Sequence, residues 1–185
     1  SIQVRCRTRL TGIDIARGRV RSVTLSSTDP ATGIVSEERI PTRHVVLATG
    51  HSARDVFELL REHDVLLERK TFAMGVRIEH PRVLIDRAQY GAFAGHPALG
   101  AASYKLICHT PDARGVYTFC MCPGGHVIAA ASQPGGVAIN GMSFHARDAE
   151  NSNSALLVGV LPEDFGDDHP LAGMVLQRQI EKAAF

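Results

Sequence analysis

The chain has 185 residues, of which 44% are hydrophobic and 21% charged, with a formal net charge of +1; that is an ordinary globular composition, long enough for one core or parts of two. Near-neutrality gives no electrostatic case for a nucleic-acid partner or an anionic membrane, and no apolar stretch reaches the length that crosses a bilayer. Four cysteines, Cys6, Cys108, Cys120 and Cys122, are too few here for a disulfide scaffold and read as reduced thiols of a cytoplasmic protein.

The first fifty residues read as strands. In VRCRTRL, Val4, Cys6, Thr8 and Leu10 alternate with Arg5, Arg7 and Arg9, the period-two pattern of a half-buried strand whose arginine row faces water. GIDIARGRVRSVTLSS predicts a hairpin turning at Ala16-Arg17-Gly18, TDPATG over 28–33 a second turn, and IVSEERI a returning strand. This meander feeds VVLATGHSARDVF, residues 45–57. Its apolar start predicts a strand ending at Gly50. Ser52 and Asp55 then predict a capped helix with Val56, Leu59 and Leu60 on its apolar stripe.

Downstream, FAMGVRIEH predicts a strand, PRVLIDRAQYG a short helix opened by Pro81, and GAFAGHPALGAAS a loop. SYKLICHT, VYTFCMCP, HVIAAAS, GVAIN and ALLVGV predict short strands of a mostly β region. The closing PLAGMVLQRQIEKAAF is helical in pattern with no stop signal, and the first residue is not Met. Both features suggest a piece of a longer protein. No signal-peptide pattern opens the chain.

Two uses of residues 45–57 compete. GHSAR approaches the G-x-S-x-G elbow with Ser52 as nucleophile, but Arg54 replaces the last glycine. Antiparallel hairpins also precede it, where an α/β-hydrolase needs crossover units. Asp86 and several histidines could complete a triad, yet nothing singles them out. In the other use, the small Ala48 and Gly50, with the Thr49 hydroxyl, let a nucleotide cofactor approach the main chain.

ATGHSARDVFELL, KTFAMGVRIEHP, IDRAQYG, YTFCMCPGG, NGMSFHARDAENSNSALLV and PLAGMVLQRQIEKAAF follow one another across most of residues 40–185. Together they resemble the bacterial FAD-dependent dehydrogenases of largely unassigned substrate, whose FAD fold is of the glutathione-reductase type with an ATG strand. The resemblance implies an α+β architecture in three parts. Residues 1–60 would be the C-terminal-side portion of a split FAD-binding domain, 61–169 an inserted β-rich substrate domain, and 170–185 a helix returning toward the FAD domain. It also implies FAD as cofactor, a small-molecule substrate, and a pyridine nucleotide or other electron partner. The G-x-G-x-x-G turn that holds the pyrophosphate is missing, and GAFAGHPALG has the wrong spacing. The expectation is a parent protein that binds FAD and a 185-residue piece that binds it poorly.

Candidate site residues follow. Ala48, Thr49 and Gly50, with His51 and Ser52 beside them, stand on the cofactor side, as do Gly124 and Gly125 of the Pro-Gly-Gly turn. Cys120 and Cys122, two apart on a strand, should present both thiols to one side, with Cα atoms near the upper limit for a disulfide. Their open roles are a catalytic redox pair, thiols lining the substrate pocket, metal ligands with Cys108, His109 and His126, or packing. C-x-C lacks the two-residue knuckle of common zinc sites. Asn140, Ser143, Arg147, Asn151, Asn153 and Ser154 form a polar cluster suited to a small polar or anionic substrate, with Arg147 able to grip a carboxylate or phosphate. A surface loop with Asx turns is the plainer alternative for that cluster. For the whole chain the alternative is a ligand-binding module without catalysis, or an incomplete fragment.

Overall fold

The computed structural model describes residues 2–185 and divides into two compact units, Ser1–Glu68 and Arg69–Phe185. The fold is α+β, with antiparallel sheets and three α-helices.

In the first unit, β1 (Thr8–Ala16), β2 (Arg19–Thr28) and β3 (Val35–Pro41) form the expected meander, paired in that order. Arg17 and Gly18 both take positive φ at the first turn, the conformation whose twist matches a two-residue hairpin. The Asp29 carboxylate closes the second turn by accepting the Ala31 and Thr32 amides, each at 2.8 Å, an Asx turn. Helix α1 (Arg54–Glu62) packs on β1. Ile13, Val23 and Val56 are the buried apolar residues of this unit.

Two expectations fail here for physical reasons. Residues 43–50 pair with no strand among the described residues, and Val46 is 91% exposed. A continuous apolar run suits a strand buried on both faces between parallel neighbours, whereas every strand pair here is antiparallel. The capping box at Ser52 and Asp55 does not form. Ala53 is the N-cap without a side-chain bond, the Asp55 carboxylate instead accepts from Arg9 Nε at 2.7 Å, and the Ser52 hydroxyl sits 3.3 Å from His51 Nε2.

The second unit is built on a four-stranded sheet. Its strands are β4 (Phe72–Pro81), β5 (Ile107–His109), β6 (Gly115–Cys122) and β9 (Asn151–Val160), in the spatial order β4-β9-β6-β5. A separate two-stranded ribbon pairs β7 (Gly125–Ala129) with β8 (Ile139–Ser143). Helix α2 (Arg82–Tyr90) follows Pro81 directly, as the sequence predicts. Its buried Asp86 accepts the Ala102 amide at 2.7 Å and faces Arg82 Nε at 3.5 Å, which ties the glycine-rich loop to the helix. Helix α3 (Ala172–Ala183) belongs to this unit too. Its Gly173 lies where a Cβ would touch the rings of Phe72 and Phe165, which stack with centroids 5.3 Å apart.

Arg114, just before β6, grips Asp164 in the turn after β9 through both terminal nitrogens, at 2.5 and 2.7 Å. That guanidinium, helped by the Leu161 amide, holds the Asp164 carboxyl down to about 2 against an ordinary 3.8. A carboxyl depressed on folding contributes stability that is complete above its unfolded value and lost as pH falls through its folded one. The contribution of this solvent-accessible pair should therefore disappear between pH 3.8 and about 2. In acid titrations of unfolding, Asp164→Asn should flatten the loss of stability across that window and leave the slope above it unchanged.

Candidate functional site

The chemistry-bearing residues of the second unit gather around an irregularity in β6. Phe119 pairs with Ala155 and Cys122 with Asn153, so Cys120 and Met121 together oppose Ser154. This is a β-bulge, with one extra residue on β6, and it takes the neighbouring carbonyls out of the regular ladder. Cys120 adopts φ +45°, a left-handed conformation that costs a side-chain-bearing residue about 1–2 kcal/mol.

Side chains from the adjoining strands serve the displaced carbonyls. Arg77 of β4 donates one nitrogen to the Cys120 carbonyl at 3.0 Å and to Asn153 Oδ1 at 2.7 Å. Ser154 Oγ donates toward the Phe119 carbonyl at 3.3 Å, and Ser152 Oγ accepts the Gly124 amide at 3.0 Å. The three residues Ser152, Asn153 and Ser154 are 0% exposed, because β9 lies between β4 and β6. Arginine only donates, so its bond fixes which end of the Asn153 amide is the oxygen. The Asn153 Nδ2 group then has no hydrogen-bond partner among the described residues.

This arrangement relocates several sequence candidates. The polar run at 151–154 is not a surface loop but the buried first half of the central strand. Asn151 donates to Glu79 Oε1 at 2.8 Å, and Glu79 also accepts the Val127 amide at 3.1 Å. Those bonds, the Asn151 one foremost, hold the Glu79 carboxyl below its usual range. Ser143 donates to the Pro123 carbonyl at 2.8 Å, while the Asn140 side chain accepts the amide of Gly141 at 2.8 Å. Arg147 is exposed, and its guanidinium makes no hydrogen bond or ion pair among the described residues; its carbonyl accepts from Arg82 at 3.3 Å.

The strict alternation expected for Cys120 and Cys122 is broken by the bulge between them. Cys120 is exposed, and Cys122 is partly buried with its thiol 3.3 Å from the Cys120 carbonyl; both are free. Cys108, His109 and His126 do not join them, and no three His, Cys, Asp or Glu side chains converge as a metal site among the described residues. Arg77 was not legible as a member of this group. The available signal was the pair Arg77 and Glu79 recurring at period two in β4, charged residues on one face of an otherwise apolar strand.

Ile78, His80, Thr118 and Leu156 alternate with the residues of the bulge cluster along their strands, and with Ile85 of α2 and Tyr104 they line a pocket of about 540 Å³. The Tyr104 hydroxyl is 2.8 Å from His80 Nε2 and within hydrogen-bond reach of the Ser154 side chain. Burial pushes the Tyr104 phenol above its ordinary range. Neither His80 nor Tyr104 stood out in the sequence, since they lie 24 residues apart in ordinary-looking segments.

Comparison with known proteins places this second unit. A family model described as "FAD-dependent protein, C-terminal domain-like" matches residues 71–185. The chain belongs to that family. A Clostridium beijerinckii protein described only as uncharacterized is 52% identical over 153 residues, covering 82% of this chain and 29% of the relative. The chain thus spans less than a third of that relative's length.

The family's cofactor can be tested against the glycines named from sequence. A Cβ on Gly124 would overlap the Arg147 carbonyl, and one on Gly125 the Met142 carbonyl. Close main-chain packing inside the family domain therefore explains why both are small. Gly50 differs. It has φ +74°, and a Cβ added there would meet nothing within 4 Å; Ala48, Thr49, His51 and Ser52 are exposed around it. The smallness of Gly50 is therefore not imposed by close neighbours, in contrast to Gly124 and Gly125. His51 lacks the carboxylate partner among the described residues that a serine-hydrolase triad requires, and Asp86 is committed to Ala102 and Arg82.

The bulge chemistry predicts opposite effects at neighbouring positions. Arg77→Met leaves Asn153 Oδ1 buried without a donor and should lower stability by about 1–3 kcal/mol. Cys120→Gly relieves the left-handed strain and should leave the protein no less stable, whereas Cys120→Val, β-branched in that conformation, should destabilise it. Denaturant midpoints at unchanged slope decide both.

Proposed function

We propose that this chain is part of an FAD-dependent oxidoreductase, contributing cofactor-side main chain from its first unit and the substrate-binding domain from its second. The family match over residues 71–185 carries the reading. The open, small-residue segment around Gly50 supports it, because a flavin needs a face of main chain without intervening side chains. Bound FAD would supply hydride or electron transfer, and the protein would bind, orient and exclude water. Ala48, Thr49 and Gly50 would lie against the cofactor, with His51 and Ser52 as polar neighbours.

Cys120 and Cys122 are proposed as the thiols nearest the chemistry. Arg147 is the proposed substrate-facing cation, since its guanidinium makes no bond of its own among the described residues. Asn140, Ser143, Asn151 and Asn153 would shape that surface. Asn151 and Asn153 would do so as positioning residues, through their bonds to Glu79 and Arg77. The electron partner would be a pyridine nucleotide or another carrier. Because the sequence has no G-x-G-x-x-G turn, the pyrophosphate site is assigned to residues outside these 185. A ligand-binding module without catalysis is the second reading, favoured by the pocket over His80 and Tyr104, which needs no redox group.

Absorbance of the purified full-length protein separates these readings. An oxidoreductase should carry flavin near one equivalent, bleach under anaerobic reductant and recover with an electron acceptor. Gly50→Val should cut flavin occupancy about tenfold or more, since a branched side chain resists that φ and covers the main chain, while circular dichroism stays unchanged. The isolated 185-residue chain should retain little flavin. A full-length protein that neither carries nor takes up flavin would remove the oxidoreductase reading.

A further inference from the structure

The pocket over the four-stranded sheet has a composition that selects its occupant. Its walls are the side chains of Ile78, Ile85, Leu106, Val116 and Leu156, and it measures about 540 Å³, within the range of small-molecule sites. No Lys, Arg, Asp or Glu lines it. An ionised ligand would lose its hydration there without a counter-charge, a penalty that apolar walls cannot offset. A neutral ring system meets no such penalty and gains roughly 25 cal/mol for each Å² of apolar surface withdrawn from water.

Gln89, Thr118, His80 and Tyr104 are polar residues in this wall, and the last two form a paired device. His80 Nδ1 lies 3.4 Å from the Pro81 carbonyl, which favours its proton on that nitrogen and leaves Nε2 to accept from Tyr104 at 2.8 Å. The Tyr104 ring is tilted against the imidazole with centroids 5.5 Å apart, which fixes the phenol beside His80. The phenol oxygen thus has a fixed position and spare acceptor capacity, and the imidazole edge is presented beside it. The loop carrying Tyr104 is itself anchored, at Ala102 by Asp86 and at Leu106 by Thr118 Oγ at 2.8 Å.

We propose that this pocket is a binding site for a neutral, ring-containing small molecule bearing one hydroxyl group, which donates its proton to the Tyr104 phenol oxygen and seats its ring among Ile78, Ile85 and Leu156. The site lies across the sheet from the bulge cluster and does not depend on the oxidoreductase reading, because nothing in it requires a flavin. If that reading also holds, this ligand class is the natural candidate for the enzyme's substrate.

The test uses the full-length protein and 2-naphthol as probe, by calorimetric titration, with 2-naphthoate as the charged comparator. Saturable binding of 2-naphthol is expected, with 2-naphthoate at least tenfold weaker. Tyr104→Phe, which keeps the ring and removes the hydroxyl, should weaken 2-naphthol about tenfold, the equivalent of one hydrogen bond of about 1.4 kcal/mol. Ala88→Trp, on an exposed position of α2 that borders the pocket, should abolish binding by filling it while leaving the thermal midpoint close to wild type. The proposal is overturned if 2-naphthoate binds more tightly, if neither variant changes 2-naphthol affinity, or if the full-length protein gives no heat with 2-naphthol. The last result would mean that polypeptide already fills the pocket. Flavin content is measured separately, so loss of the ligand site and loss of the cofactor reading are distinguishable.

Discussion

A single extra residue in β6 organises the second unit. Once Cys120 and Met121 both face Ser154, the carbonyls of Phe119 and Cys120 leave the regular ladder beside a strand whose Ser152, Asn153 and Ser154 are fully buried. Buried carbonyls without donors cost free energy comparable to lost hydrogen bonds. The sheet meets that cost with Ser154 and Arg77, which explains an otherwise odd sequence, NSNS at the heart of a central strand. A run of valines there would pack the sheet better and leave the bulge unserved.

The same arrangement gives the sheet two chemically different sides. Period-two alternation sends Asn151, Asn153, Arg77 and Glu79 one way and Ser152, Ser154, Ile78 and His80 the other. On the first side the ribbon of β7 and β8 comes so close that a Cβ on Gly141 would overlap Arg77 and Asn153 and press on Cys122, so polar groups there are packed tightly and pinned by one another. On the second side α2 and the loop carrying Tyr104 stand off from the sheet and leave a cavity. Ser154 joins the two sides: its hydroxyl is within reach of both the Phe119 carbonyl of the bulge and the Tyr104 phenol of the pocket.

What the sequence revealed followed from local chemistry. The meander was legible because Arg17-Gly18 and Asp29 through Gly33 are turn residues with a mechanism, and helix α2 because Pro81 suits a helix start. What stayed hidden depended on long-range pairing. Asn151 through Ser154 read as a loop because a buried polar strand has the composition of an exposed one; only the donors waiting on β4 and the acceptors on β6 make it a strand. β8 was placed three residues too early because GVAIN has the stronger β composition, whereas pairing with β7 selects Ile139–Ser143. The bulge carries no local mark at all, since Cys120 occupies a conformation usually left to glycine. His80 and Tyr104 were invisible for the simplest reason: neither residue type is unusual, and only the fold brings them to 2.8 Å.

Smallness at a position has two different causes in this chain, and separating them shows where a cofactor argument has weight. At Gly124 and Gly125 the neighbouring main chain fills the space a side chain would take, so these glycines are required by the fold whether or not any ligand binds. At Gly50 the space is empty, and so it is around the flanking Ala48 and Thr49, which are exposed. The left-handed φ of +74° accounts for glycine at that one position, but it does not account for alanine and threonine before it, nor for Val45, Val46 and Leu47 arriving there unpaired. A continuous apolar run without period-two alternation is the mark of a strand enclosed on both faces, and the meander beside it supplies no parallel neighbour. The residues from 45 to 50 thus have a composition that the described strands do not use. That is why this segment, and not the Pro-Gly-Gly turn, supports the flavin proposal alongside the family match.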